Sequence, residues 1–466
     1  MAISSFYGLQ TSLRGLLAQQ RLLDTTGHNI ANASTEGYSR QEAVLAASPA
    51  LMVPAGATST GAGAMLGSGV DVENYRRVRD QFLDVQYRGQ ATNLADWSAR
   101  AGALGNAETA LAEPSDNGIN KQLQKFWDAW SDLANAPAGS PSLAAKQALV
   151  SQGQSLADAV RTVYSQVQTV QQQSYAQYQD ISRPAGPGDA GGQVAQIAKQ
   201  IADLNKTISQ FKTAGDDPND LEDRRDQLLD QLSGLGQISV TTLPTGSMNV
   251  SFVNGGGPPV DIVNDLNSVW AGPPAQDNWT PGGQLGGLLA VSKPGGTLDG
   301  YLGELDTFAT NLAGLVNSAY GGTFLQVGAP PAGGSAPQGA ATGLGVDPTL
   351  VANPTAVVAG SGNAGSNDIA MAVAQLRGNA NIDGAYGGFI AQFGAEVDEA
   401  NRQQGNAQAL TDSIDNRRQS VSGVSMDEEM TNLVKFQRAY QASSRAMSTM
   451  DEMLDVLINR TGKVGL

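Results

Sequence analysis

The same apolar pattern stands at both ends of the chain. Near the first end, Leu9, Leu16, Leu23 and Ile30 recur every seven residues, with Phe6 and Leu13 in the alternate register. Near the other, Met426, Leu433, Tyr440, Met447 and Leu454 do the same, with Phe436, Met450 and Leu457 as the second set. A seven-residue apolar repeat is the seam of a coiled coil. A lone amphipathic helix usually turns such a stripe to its own domain's core, yet neither stripe has a partner of similar length and register nearby in sequence. The ends are therefore predicted to pair with each other and to leave their outer faces for other subunits.

Punctuation supports both helices. The second begins at "SMDE", where Ser425 and Glu428 stand at capping-box spacing and Asp427, Glu428 and Glu429 fill the first turn, favoured by the helix dipole. Gly423 breaks the chain just before it. The first helix runs into "TTGHNIANASTEGYSR", which contains the single histidine, His28. No nucleophile motif accompanies that imidazole, so a structural role is the better reading. The amides of Asn29 and Asn32 are suited to unpaired backbone groups at a helix end, and Gly37 permits a turn before an extended "YSRQEAVL" with Tyr38 exposed to a neighbour. This stretch is predicted to be a joint, with Asn29, Asn32, Gly37 and Tyr38 as its key residues.

Between the ends the pattern is mainly helical. "QVAQIAKQIADLNKTISQF" and "PNDLEDRRDQLLDQLSGL" read as two bundle helices joined by a "GDDPND" turn, and further helices are predicted over residues 143–181, 298–319 and 397–421. Residues 238–264 alternate as strands with Pro and Gly punctuation. The segment after the joint is predicted to be extended or loop, ending in a strand at residues 70–72. The fold class is mainly α: a terminal α-helical coiled coil plus an elongated helical bundle, with a small β-rich insertion domain. The expected division is residues 1–40, coiled-coil helix and turn; 41–237, first part of the bundle; 238–284, β-rich insertion; 285–320, bundle continued; 321–367, a Gly/Pro-rich segment of loop or strand; 368–422, the bundle's return; and 423–466, the second coiled-coil helix.

Composition removes much chemistry. With no cysteine and one histidine, thiol nucleophiles, disulfides, zinc clusters and HExxH sites are out of reach. A net charge of −16 repels nucleic acid and anionic lipid, so no nucleic-acid partner is expected. No apolar run approaches the roughly 18 residues of a membrane span, so no membrane insertion is expected, and "MAISSFYGLQTSLRG" lacks the cationic start and apolar core of a secretory signal. The Gly-x-Gly-x-x-Gly at Gly186, Gly188 and Gly191 follows a polar helix end rather than a buried strand, which makes it a linker and not a dinucleotide fingerprint. The acidic run Asp216, Asp217, Asp220, Glu222 and Asp223 is attributed to helix-start bias. No catalytic, metal or cofactor-binding residue is assigned, and no cofactor is expected.

"NIANASTEGYSRQ" resembles the N-terminal signature of the bacterial flagellar axial proteins, and "SVSGVSMDEEMTNLVKFQRAYQASSRAMSTMDEMLDVL" resembles their C-terminal signature. The blocks "PNDLEDRRDQLLDQLS" and "GGQLGGLL" are similar to the hook-associated, hook-filament junction branch of that family. The resemblance implies a secreted, non-enzymatic structural adaptor at the junction of hook and filament. Implied with it are type III export, a chaperone holding the C-terminal helix, terminal helices that order on assembly, and a β insertion facing outward. The implied partners are the hook protein, the second junction protein and further copies of this chain in a ring or helical array. A hook, rod or second junction subunit is the alternative within the family. A wall hydrolase would need a carboxylate pair in a cleft, and an adhesin would rest on the β insertion.

Overall fold

The structure, a computed structural model, describes residues 6–53, 64–137, 140–275, 279–328, 339–362 and 366–460. Helix α1, Tyr7–Ala31, runs into a long antiparallel ribbon: β1, Gln41–Ala47, pairs along its length with β4, Val70–Arg77, and β2, Leu51–Val53, pairs with β3, Ala64–Leu66. The ribbon lies along α1, where the Tyr7 hydroxyl donates to the carbonyls of Leu66 and Gly67 and Arg14 reaches Ser68 and Asp71. The strands within residues 41–53 and 64–77 therefore belong with the terminal helix. The expected assignment of this stretch to the helical bundle is corrected, because alternating "VLAA" and "VDVENY" segments satisfy each other's backbone groups as strands.

The body is built on three long struts, the second, fourth and eleventh helices of the chain. Helices α2, Gln81–Leu111, α3, Ile119–Asn135, and α4, Ser140–Ser182, come first, α4 spanning about 65 Å at 1.5 Å per residue. The hairpin of α5, Gln193–Ala214, and α6, Asn219–Leu235, follows, then the sheet of β5, Ile238–Thr242, β6, Met248–Phe252, β7, Val260–Asn264, and β8, Asn267–Ser268, in sequential antiparallel order. Helices α7, Gly283–Ser292, and α8, Thr297–Tyr320, return to the bundle. Strands β9, Leu325–Gln326, and β10, Gly345–Val346, with helix α9, Pro348–Ala352, close one end of it. Helix α10, Asp368–Ala374, leads to the third strut, α11, Ala385–Ser422, and Gly423 separates this from α12, Met426–Asp455.

Two buried cores sit along the struts. The outer one packs Phe126, Trp127 and Trp130 of α3 against Leu156 and Val160 of α4, Leu305 and Leu312 of α8, and Phe393 of α11. Phe324, Leu344, Val346, Leu350 and Val357, from the stretch expected to be mostly loop, complete it. The inner core joins Tyr178 and Ile181 at the end of α4 to α5, α6, α7 and the sheet. Gly287 of α7 lies so close to α2 that an added Cβ would collide with the Asp96 carbonyl, which explains the second glycine of "GGLL".

The sheet is no free-standing insertion. Val250, Phe252, Ile262 and Val263 point into the inner core, and the Trp270 indole donates to the Ser182 carbonyl at 3.0 Å. Buried Arg225 of α6 donates to Asn205 Oδ1 and to the Gly246 carbonyl in the β5–β6 turn, while Asn205 Nδ2 donates to the Met248 and Asp265 carbonyls. The Gly186–Gly191 stretch is the turn between α4 and α5, held by a bridge between Gly186 and Asp189.

Phe252, fully buried between Trp270 and Trp279, is expected to cost about 3–5 kcal/mol when truncated to alanine. Urea denaturation of Phe252→Ala checks this; a loss below about 1 kcal/mol would show that the sheet and helices do not share a core.

Candidate functional site at the terminal helix pair and its joint

Helices α1 and α12 pack along their length. An added Cβ at Gly8 would meet Met450 at 3.1 Å, and one at Gly15 would meet Ser443 at 3.5 Å. A step of seven up α1 is thus a step of seven down α12, so the pair is antiparallel. These two contacts fall one residue before the expected seam positions Leu9 and Leu16, where the Met450 and Ser443 side chains lie over glycines.

The seam residues divide accordingly. Leu9, Leu16, Leu23 and Ile30 on α1, and Leu433, Phe436, Tyr440 and Met447 on α12, are half-buried beside the contact, and Leu454 is buried. Met450 covers Gly8 while remaining 37 % exposed. Leu13 and Met426 are corrections: at 43 % and 47 % exposed they are not buried in the pair, Leu13 standing two residues round α1 from Gly15 and Met426 level with Asn32, just past the end of α1. The side chain of Leu457 lies outside the described residues. The most buried α1 positions are instead small or polar, Ala18, Thr26 and Asn29.

The joint converges on Asn29. Its Oδ1 accepts from the Tyr38 hydroxyl at 2.8 Å and the Gln41 amide at 3.0 Å, and its Nδ2 donates to the Gln41 carbonyl at 3.0 Å. One buried amide therefore locks the end of α1 to the start of β1. Asn32 Nδ2 donates to the His28 carbonyl, capping the helix end, and Gly37 adopts φ 79, the left-handed region glycine tolerates. Burial, and then the carboxylates Asp220, Asp223 and Glu429, push the Tyr38 hydroxyl above its ordinary range, so it remains a donor to Asn29. Tyr38 is half-buried rather than free, and His28 lies edge-on to it with Nε2 3.3 Å from Asp220.

Beneath the joint lies an ionic network that the sequence reading did not foresee. Asp223, Asp226 and Asp230 are spaced by three and four residues, on one face of α6. Ser39 donates to Asp223 through both its amide and its hydroxyl. Arg77 from β4 reaches Glu222, Asp223 and Asp226 at 2.6–3.0 Å. Arg79 bridges Asp84 and Asp226, Arg88 of α2 reaches Asp226 and Asp230, and Arg418 of α11 reaches Asp230 at 2.6 Å with its guanidinium over the Tyr87 ring. The last link is Arg40, which donates its amide to the Ser422 carbonyl and its guanidinium to Glu428 and Glu42. Ser425 caps α12 by accepting from the Glu428 amide at 3.4 Å, while the Glu428 carboxylate turns to Arg40 and not back to the cap.

Helix-start bias thus accounts for little of the acidic run. The signal for the network was the match between i, i+3, i+7 aspartates on α6 and the arginines Arg77, Arg79 and Arg88.

Residues 9–38 match the family described as flagella basal body rod protein, and residues 416–460 that described as flagellar basal body rod FlgEFG protein C-terminal. Residues 104–324 match the flagellar hook-associated protein FlgK helical domain. Over 99 % of its length the chain is 30 % identical to flagellar hook-associated protein 1 of Bacillus subtilis, covering 99 % of that protein. The chain belongs to the flagellar hook-associated protein 1 family. Flagellar hook-associated protein 1 of Escherichia coli is 24 % identical over 97 % of this chain and 99 % of its own. The flagellar hook junction protein FlgK from Burkholderia pseudomallei has a solved structure that aligns with 53 % of this chain and 47 % of its own, at 23 % identity and a TM-score of 0.44. In this hook-associated protein 1 family member, the two segments that match rod families are those the structure joins as an antiparallel pair, and the ionic network fastens both to the body.

Burial would push the Asp226 carboxyl up, but Arg79, Arg77 and Arg88 outweigh it and hold the group below its ordinary 3.8. A depressed folded value stabilises the fold above the unfolded value, and the contribution is lost as pH falls below it. Asp226→Asn, which leaves three guanidinium groups short of a partner, is expected to cost about 3–5 kcal/mol at neutral pH. The difference from the parent should shrink on acidification below 3.8; a pH-independent difference in chemical denaturation would contradict the ionic account.

Proposed function

We propose that this chain is a non-enzymatic structural subunit of the bacterial flagellum that joins the hook to the filament through the next hook-associated protein. The observation that carries the reading is full-length membership of the hook-associated protein 1 family together with axial segments, residues 9–38 and 416–460, at both ends. The terminal pair would enter the core of the axial tube, with the helical body as its wall. Exposed apolar side chains on the pair's outer faces, including Leu13, Leu17, Met430 and Val434, support further packing on assembly.

The partners under this reading are the hook protein, the second junction protein and further copies of this chain in a ring or helical array. The α12 stripe would be held by an export chaperone in the helix-in-groove manner. The site of action is extracellular, at the hook-filament junction, and among the described residues no helix is long and apolar enough to cross a membrane.

Electron microscopy of cells lacking the chain, with an assay for filament protein in the medium, tests the reading. Hooks without filaments and shed filament subunits are expected. Missing hooks would make the chain a hook or rod component, and normal filaments would defeat the junction role.

Leu433→Asp places a charge beside the α1 contact and is expected to block incorporation into flagella while the body stays folded. Normal incorporation would remove α12 from the assembly role. In the purified monomer, residues 1–40 and 425–466 are expected to be cleaved first by a protease, since a helix pair covered on few sides opens at low free energy. Equal protection of ends and body would contradict folding coupled to assembly.

A further inference from the structure

The outer face of the terminal pair has an order as well as a composition. On α1, Leu13 and Leu17 are 43 % and 49 % exposed, and Arg21 follows four residues later. On α12, Met430 and Val434 are each 50 % exposed, and Asp427 stands three residues before Met430. Each triplet has the spacing of one helix face. Among the described residues, neither the Arg21 guanidinium nor the Asp427 carboxylate has an ion-pair partner.

Because α1 runs toward the joint and α12 away from it, both triplets read charge, apolar, apolar from the joint outward. The charges are opposite. Two copies side by side and pointing the same way would bring Arg21 to Asp427, Leu17 to Met430 and Leu13 to Val434. Copies pointing in opposite directions would set each charge against the other's apolar end, which the desolvation of a charge disfavours.

The match cannot form within one copy. With Gly8 opposite Met450 and Gly15 opposite Ser443, Leu17 is level with Gln441, so Met430 lies about 16 Å along the axis from it at 1.5 Å per residue. We infer that the Leu13, Leu17 and Arg21 face of one copy docks on the Asp427, Met430 and Val434 face of the next, all copies pointing the same way and neighbours displaced axially by about 16 Å. The interface is heterologous and each step adds a rise, so the copies climb as a staircase and do not close as a flat ring. The inference rests on the reading that the chain assembles with itself in the flagellar axis, and it adds the faces, polarity and stagger.

The chain has no cysteine, so Leu17→Cys with Met430→Cys introduces its only thiols. A disulfide needs Cα atoms within about 7 Å, which the offset forbids inside one copy. The double variant is expressed in cells lacking the native chain, and isolated flagella are oxidised and run on a denaturing gel without reductant. A ladder of covalent oligomers of this chain is expected, and no ladder from either single variant. An incorporated double variant that gives no ladder, or a product joined to a different flagellar protein, would overturn the inference. Absence of the native chain from flagella would instead defeat the functional reading itself. Should the cysteine variant fail to incorporate, charge exchange decides: Arg21→Glu is expected to lower incorporation several-fold and the pair Arg21→Glu with Asp427→Arg to restore it. No recovery in the folded double variant would overturn the pairing.

Discussion

Carboxylates on one face of α6 gather guanidinium groups from four separate parts of the chain, and the arrangement of everything else follows from that meeting. Arg77 arrives from the ribbon, Arg79 from the link after it, Arg88 from α2 and Arg418 from the end of α11, all against Asp223, Asp226 and Asp230 or their neighbours. Buried ions are costly unless each is paired and further hydrogen-bonded, so such a network tolerates few alternative geometries. Its effect is to fix where the chain leaves the terminal helix and where it returns. Ser39 bonds to Asp223, and Arg40 bonds to Ser422 on one side and Glu428 on the other. Both ends of the chain therefore spring from one place.

From that place the terminal pair extends as an antiparallel layer. The Met450 and Ser443 side chains of α12 lie over Gly8 and Gly15 of α1, and the ribbon packs on a second flank of α1. What remains is an outer surface of Leu13, Leu17, Met430 and Val434 that no described part of the chain covers. A soluble domain would bury such residues; a subunit whose terminal helices pack among those of its neighbours has reason to keep them outward.

Much of this was legible in the residues, and the unread parts have physical causes. The heptads announced the terminal helices because a seven-residue repeat survives any context, and the α5–α6 hairpin and the sheet showed by strict periodicity and turn residues. A heptad cannot say which apolar positions meet the chain's own partner helix and which stay exposed, so Leu13 and Met426 fit the repeat and yet lie outside the buried seam. Helix α2 went unread because alanines, Ala101, Ala103, Ala107 and Ala110, make much of its buried face, and they mark helical faces weakly. Helix α3 carries a readable stripe of Leu123, Phe126, Trp127 and Trp130. The ionic network was invisible because each charge taken alone fits a helix start or a solvated face; only the pairing of distant runs reveals it. The position of the sheet depends on Arg225 and Asn205 reaching its turns, contacts between residues that no local pattern links.

The most direct test of the account is a density map of the assembled hook-filament junction at side-chain resolution. The account predicts α1 and α12 of the same copy side by side and antiparallel, Gly8 against Met450, with Arg40 joined to Glu428 at their base. Terminal helices of one copy held apart, each paired only with a neighbour's, would contradict it.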